Sequence, residues 1–198
     1  MDIKLTTIFP TPIVIAKYEQ VDSVMDFIKK MPPGAVNEKG SHLSATLNIL
    51  DDPGLSHLKE FILECLKEYA KKILDTSAEL YITQSWINRS PKGVGHHEHA
   101  HSNSVVSGVL HITKGEKLPP IRFSKDSFDT LQLPVNKNNV FNSPYSIFSF
   151  EAGNLVLFPS SLRHAVPVNE SDHVRYSIAF NTFTKSLGEK LKLNLTEL

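Results

Sequence analysis

Histidine is the residue whose number and spacing suggest chemistry. The chain has nine, and five fall between His96 and His111. The densest run is Gly95-His96-His97-Glu98-His99-Ala100-His101. Imidazole nitrogen suits Fe, Zn, Cu and Ni, so the chemistry on offer is that of a transition metal. In an extended chain, side chains alternate between faces. His97, His99 and His101 then share one face, and His96 and Glu98 the other. Two ligands at x and x+2 can grip one ion from a strand. Taken alone, the segment also fits a solvated polar loop with adventitious metal affinity.

A distant partner strengthens the metal reading. Gly153-Asn154-Leu155-Val156-Leu157-Phe158-Pro159 reads as a turn, a buried strand and a stop, and His164 follows it. In the next strand Val174, Tyr176, Ile178 and Phe180 form an apolar face, while Arg175, Ser177, Ala179 and Asn181 form the other. A half-buried strand with a wet face has this pattern. So does a strand with an inward Arg175 that binds a carboxylate through two parallel N–H bonds, with Ser177 adding a hydroxyl.

These residues need a scaffold. Pro12–Tyr18 predicts a short strand. A helix capped by Asp22 or Ser23 runs to about Met31, where Pro32-Pro33-Gly34 stops it. Asp51-Asp52-Pro53-Gly54 reads as a turn. From Leu55 to Leu74, apolar residues at Leu58, Phe61, Ile62, Cys65, Leu66, Tyr69 and Ile73 follow the three-four spacing of an amphipathic helix. The period then changes to two. Leu80–Asn88, Val105–Thr113, Ile121–Phe123, Ile147–Phe150, Asn154–Phe158, Ala165–Val168 and Val174–Phe183 are predicted as short strands separated by turn residues, the pattern of a sandwich or barrel. The expected fold is mainly β with N-terminal α (α+β), in one domain.

Composition narrows the function classes. The 198 residues suit a single domain on the usual prior of ~100–200 residues. Lys+Arg and Asp+Glu are 21 each, so no net positive field is available to hold nucleic acid or an anionic membrane. The single cysteine, Cys65, excludes an intramolecular disulfide framework and a multi-cysteine zinc site. No apolar run approaches the ~18 residues needed to cross a bilayer, and no signal segment is visible at Met1–Pro10. The expectation is a cytoplasmic protein with no nucleic-acid or membrane partner. Ser160-Ser161 lacks the glycine pattern of a nucleophile elbow, which argues against a hydrolase.

Ser85-Trp86-Ile87-Asn88, the run from His99 to Val109, Gly153–Ser160, His164 and Arg175-Tyr176-Ser177-Ile178-Ala179-Phe180-Asn181 together resemble the 2OG-Fe(II) oxygenases of bacteria and phages, which are relatives of prolyl hydroxylases. The resemblance covers roughly Leu80 to Phe183. It implies a double-stranded β-helix, a cupin-like jelly roll, with helices packed on one sheet. The implied organisation is an α/β support region over 1–79, the β core over 80–184 and a tail over 185–198. It also implies Fe(II) held by His99, His101 and His164, and 2-oxoglutarate bound through its C5 carboxylate by Arg175, supported by Ser177. His111 stands where relatives carry a carboxylate-binding tyrosine. The implied reaction is hydroxylation of a C–H bond in a protein or peptide side chain or a small metabolite, with release of succinate and CO2. No catalytic acid or nucleophile beyond the metal ligands is expected.

One departure from the family is plain. The better-known triad is two histidines and a carboxylate, whereas the aligned position here is His101. His96-x-Glu98 would restore a carboxylate, three residues earlier. A three-histidine cupin-like protein working without 2-oxoglutarate, as a dioxygenase or isomerase, is the alternative. A non-enzymatic jelly-roll binding protein is a third reading. Val109, Leu157, Ile178 and Trp86 are expected to wall the site. Lys114–Asn142 and Asn37–Leu47 are expected as lids, with Arg163 and Lys125 available to an acidic group. An exposed sheet edge makes a homodimer reasonable.

Overall fold

The computed structural model describes residues 1–32, 34–36, 40–125, 134–188 and 193–195. Among the described residues twelve strands and two α-helices follow in chain order: β1 (Val14–Lys17), α1 (Val21–Lys30), β2 (His42–Leu43), α2 (Ser56–Lys72), β3 (Leu80–Ser90), β4 (His96–His99), β5 (Val106–His111), β6 (Ile121–Ser124), β7 (Tyr145–Phe148), β8 (Asn154–Pro159), β9 (His164–Val166), β10 (Arg175–Thr184), β11 (Ser186–Leu187) and β12 (Leu193–Asn194). From β3 to β10 the chain passes back and forth between two antiparallel sheets, with β6 and β7 as consecutive strands of the smaller one. One has the order β3-β10-β5-β8 at its centre and the other β4-β9-β6-β7, which is the strand order of a jelly roll. β1 extends the first sheet beyond β8, and β2 extends it beyond β3. β11 and β12 form a separate ribbon.

Period-two alternation gives the larger sheet two buried faces. On β8, Leu155 and Leu157 turn toward the helices, into a core shared with Val24, Ile28, Leu58, Ile62, Leu66, Tyr69, Ile178 and Phe180. Val156 and Phe158 turn between the sheets, against Ile121 and Phe123. The helices therefore support one face and leave the other free to hold a site. Close approach matters at Gly108, where an added Cβ would lie 2.1 Å from the Phe180 ring. A side chain there would push Phe180 out of the core.

Three local expectations change. Neither Asp22 nor Ser23 caps α1: the N-cap is Gln20, and the Ser23 hydroxyl donates to the Gln20 carbonyl from inside the first turn. Asp51–Gly54 is more than a turn, since Ile49–Asp51 and Pro53–Leu55 are short 3-10 helices. The described part of the Asn37–Leu47 segment is an edge of the larger sheet rather than a lid, because His42 and Leu43 pair with Arg89 and Asn88 and the Leu47 carbonyl accepts from the Ser85 amide. Its residues 37–39 lie outside the described residues. Residues 126–133 of the Lys114–Asn142 lid, Asp126 and Asp129 among them, also lie outside.

Candidate metal centre

β4 and β9 pair so that His99 and His164 are direct cross-strand partners, which brings their rings to 4.3 Å between centroids. His101 follows β4. Its amide donates to the Ser160 carbonyl at 2.9 Å, and the chain then reverses through Asn103, held at φ 55°. Asparagine tolerates that left-handed conformation better than most residues. The ligand nitrogens of His99, His101 and His164 all lie within 4.8 Å of one another.

The second nitrogen of each ring helps define the first. His99 Nδ1 lies 2.9 Å from the His97 carbonyl, and His164 Nδ1 lies 2.9 Å from the Leu162 carbonyl. A carbonyl only accepts, so both Nδ1 atoms carry the proton and both Nε2 atoms keep a lone pair, as metal ligation requires. His101 Nδ1 lies 3.4 Å from Asn181 Nδ2, and Asn181 Oδ1 accepts from the Ser107 hydroxyl at 2.9 Å. Rotating this amide end for end lets Oδ1 accept from Nδ1–H while Nδ2 donates to Ser107, the arrangement a ligating Nε2 needs. Ser107 continues to Ser160 at 2.8 Å, and Ser160 to Ser104 at 2.7 Å. Burial pushes His101 and His164 down to about 4, and burial also lowers His99. All three are therefore neutral donors at pH 7. The donor set fits a transition metal.

Glu98 does not join them. It turns outward across the smaller sheet, where it accepts from Ser124, from Arg122 Nη2 at 3.3 Å and from Arg163 Nε at 3.2 Å. The Ser124 hydroxyl, followed by Arg163, holds its carboxyl below the usual range. The His96-x-Glu98 pair is thus split. Simple alternation fails here because the β4–β9 register shifts between His96 and His99. Such a bulge rotates side chains out of strict alternation, so His96 and His99 both line the cavity while His97 is exposed.

The other end of that cavity is cationic. Arg175 is 5 % exposed, and burial lowers its guanidinium to about 10. Among the described residues its one side-chain hydrogen bond runs from Nη1 to Ser177 Oγ at 3.1 Å, and it has no carboxylate partner. An isolated buried charge is costly, so this guanidinium fits an incoming anion. Ser177 sits between Asn88 on β3 and His111 on β5 in the ladder. Asn88 Oδ1 and His111 Nε2 are both buried without a hydrogen-bond partner among the described residues. Burial, then the Arg175 charge, hold His111 well below its ordinary value. His111 packs on Phe150 at 4.9 Å.

Trp86, Val109, Phe158 and Ala179 line the cavity with the histidines. Leu157 and Ile178 do not, because they occupy the helix-facing side of the sheet. Sequence reasoning missed Asn88 and the support that Asn181, Ser107 and Ser160 give His101. The alternation of β10 already placed Asn181 on the Arg175 face, which was the available signal.

Two sheets in jelly-roll order, three neutral imidazoles converging on one point and a buried guanidinium beyond them define a non-haem metalloprotein of the double-stranded β-helix class. Residues 84–181 match the family described as "Putative 2OG-Fe(II) oxygenase", so this segment, which holds all the candidate site residues, is similar to the 2OG-Fe(II) oxygenases. No curated protein matches the sequence. Solved structures share the fold at low identity. A prolyl-4-hydroxylase from Pseudomonas putida is 14% identical, with 87% of this chain and 92% of that chain covered and a TM-score of 0.59. HygX from Streptomyces hygroscopicus, with nickel, 2-oxoglutarate and hygromycin B bound, is 10% identical, with 87% and 82% covered and a TM-score of 0.63. The α-ketoglutarate-dependent epimerase SnoN from nogalamycin biosynthesis is 10% identical, with 89% and 80% covered and a TM-score of 0.65.

Proposed function

We propose that the protein is an Fe(II)- and 2-oxoglutarate-dependent oxygenase that hydroxylates a C–H bond and releases succinate and CO2. One observation carries the reading: a buried guanidinium without a counter-ion among the described residues shares a cavity with three converging imidazoles. A 2-oxo acid with a distal carboxylate supplies what both ends lack. When bound, the metal and cosubstrate supply oxidative chemistry that no amino-acid side chain can perform.

The chain's residues position and shield. His99, His101 and His164 hold the metal through Nε2, with Nδ1–H of His99 and His164 given to the His97 and Leu162 carbonyls. Arg175 receives the distal carboxylate, and Ser177 donates its hydroxyl while accepting from Arg175. His111 offers Nε2 beside them. As a neutral ring it is a donor only in the Nε2–H tautomer. Trp86, Val109 and Phe158 exclude water, which strengthens the ionic contact at Arg175. No side chain is required as a general base.

For the substrate we propose a protein or peptide side chain, or a small metabolite. A groove of about 560 Å³ is bounded by residues 6–11, by Val140 and Phe141, and by Tyr145 and Phe148 of β7. Its size lies within the usual range for ligand sites. Phe123 borders the groove and stands 6.3 Å from the His164 ring.

The test is a titration of 2-oxoglutarate into the anaerobic Fe(II) protein, following the visible charge-transfer band of a chelated 2-oxo acid. A saturable band in the wild type, absent in His164→Ala, is expected. Stoichiometric metal with no band contradicts the reading and favours the three-histidine protein that works without 2-oxoglutarate.

A further inference from the structure

His96 and His97 have no role in the site described above, yet they form a second group of three imidazoles with His99. His96 and His99 line the cavity and His97 is exposed, so this group reaches from the cavity wall to the surface. Its ligand nitrogens also lie within 4.8 Å of one another. Its ring centroids are 4.6 to 5.2 Å apart, against 4.3 to 5.2 Å in the inner group of His99, His101 and His164. One acceptor sets two of its tautomers. The His97 carbonyl lies 3.3 Å from His96 Nδ1 and 2.9 Å from His99 Nδ1, so both rings hold the proton on Nδ1 and a lone pair on Nε2. Glu98 is engaged by Ser124, Arg122 and Arg163 and faces away, which leaves three imidazoles as the donor set. His99 belongs to both groups and has one lone pair to give, so the two groups cannot each hold an ion through it.

We propose that His96, His97 and His99 form a second site for a divalent transition metal, an outer one that captures the ion from solvent before it passes inward. The passage is a ligand exchange. Bonds from the metal to His96 and His97 break as bonds to His101 and His164 form, His99 is kept, and no electron or proton is transferred. His96 does not touch the ion once it is inside. The inner group is the better built. The Leu162 carbonyl and Asn181 orient His164 and His101, whereas the exposed His97 ring is fixed by no side-chain hydrogen bond among the described residues. Only the destination of the ion rests on the proposed three-histidine centre.

The experiment uses Co(II) as probe on the full chain without 2-oxoglutarate, following its visible d–d absorption and its affinity by chelator competition. The double variant His101→Ala/His164→Ala removes the inner group. It should still bind one equivalent of Co(II), more weakly than the wild type. Adding His96→Ala or His97→Ala should weaken that binding by at least about tenfold, on the scale of lost ligand support. No Co(II) absorption in the double variant overturns the proposal. So does absorption that ignores both added substitutions, which is adventitious binding elsewhere. His97→Ala alone tests the passage without disturbing the core, because the ring is exposed. Its stopped-flow uptake of Co(II) should be several-fold slower than that of the wild type, with final affinity and spectrum unchanged. Uptake at the wild-type rate overturns the proposal, as do two equivalents of Co(II) on the wild type, since His99 would then not be shared. A double variant that binds as tightly as the wild type and loses Co(II) with His96→Ala overturns the inner centre instead, and with it the passage inward.

Discussion

Glu98 and Arg175 lie on opposite sides of the histidine cluster and meet opposite fates. Glu98, one residue before a candidate ligand, faces outward and is held by Ser124, Arg122 and Arg163. Arg175 faces inward, is nearly fully buried and finds only a serine hydroxyl among the described residues. A chain shaped for stability alone would pair these charges or keep the arginine in water. Here the carboxylate that could have joined the metal is engaged elsewhere, and the cation that could have been neutralised is left open. The contrast separates a structural ion cluster from a binding group.

Arg175→Met gives the sharpest break in that contrast. Affinity for 2-oxoglutarate should fall about 100-fold, the scale for truncating one partner of a buried charge pair. The apoprotein should melt at the same temperature or higher, because removing an unpaired buried charge relieves its desolvation. A clear loss of apoprotein stability would show that Arg175 is structural. Calorimetry of ligand binding and thermal unfolding of the same sample read both quantities.

The support of His101 comes next in size. Asn181→Leu removes its hydrogen-bonding partner, and metal affinity measured by chelator competition should drop about tenfold. Unchanged affinity would mean that the Ser104–Ser160–Ser107–Asn181 chain serves packing only. Glu98→Gln acts on the opposite member of the comparison. It should lower stability by about 1 kcal/mol, as for a partly exposed ion pair, and leave metal affinity intact. A loss of metal binding would revive the His96-x-Glu98 ligand pair.

The smallest effect concerns pH. Folded His111 stays neutral well below the ordinary value of 6.5, whereas the unfolded chain takes up its proton near 6.5. Its contribution to stability is therefore complete above pH 6.5 and is lost as pH falls below that value. His111→Phe should flatten the decline of apoprotein melting temperature in that acid window. An unchanged slope would show that another group governs acid unfolding.

The distribution of these groups was partly legible in the residues. The alternation in Val174–Phe183 put Arg175, Ser177 and Asn181 on one face, and the structure keeps them there, because a strand in register with neighbours on both sides has no freedom to rotate. The three-four spacing before Leu74 gave α2 for a similar reason, since its apolar stripe must meet the sheet. The four-residue strand β4 was different. Alternation predicted His96 opposite His99, and a bulge overturned it. No residue type announces a bulge, because it arises from pairing with β9 more than sixty positions away. β2 was equally opaque, being two residues long and defined by the Arg89 and Asn88 edge it joins. Asp22 and Ser23 do not cap α1 because the helix already begins at Val21, which puts both inside its first turn, where Asp22 pairs with Lys114 at 2.6 Å.

The central claim is that one bound molecule bridges the imidazole end and the guanidinium end. The most direct test compares 2-oxoglutarate with 2-oxobutanoate, which keeps the 2-oxo acid and lacks the distal carboxylate, by band titration in the anaerobic Fe(II) protein. The wild type should prefer 2-oxoglutarate by about 100-fold, and Arg175→Met should reduce the preference to near unity, as expected for one buried ionic contact. A preference that survives in the variant, or is absent in the wild type, would contradict the account.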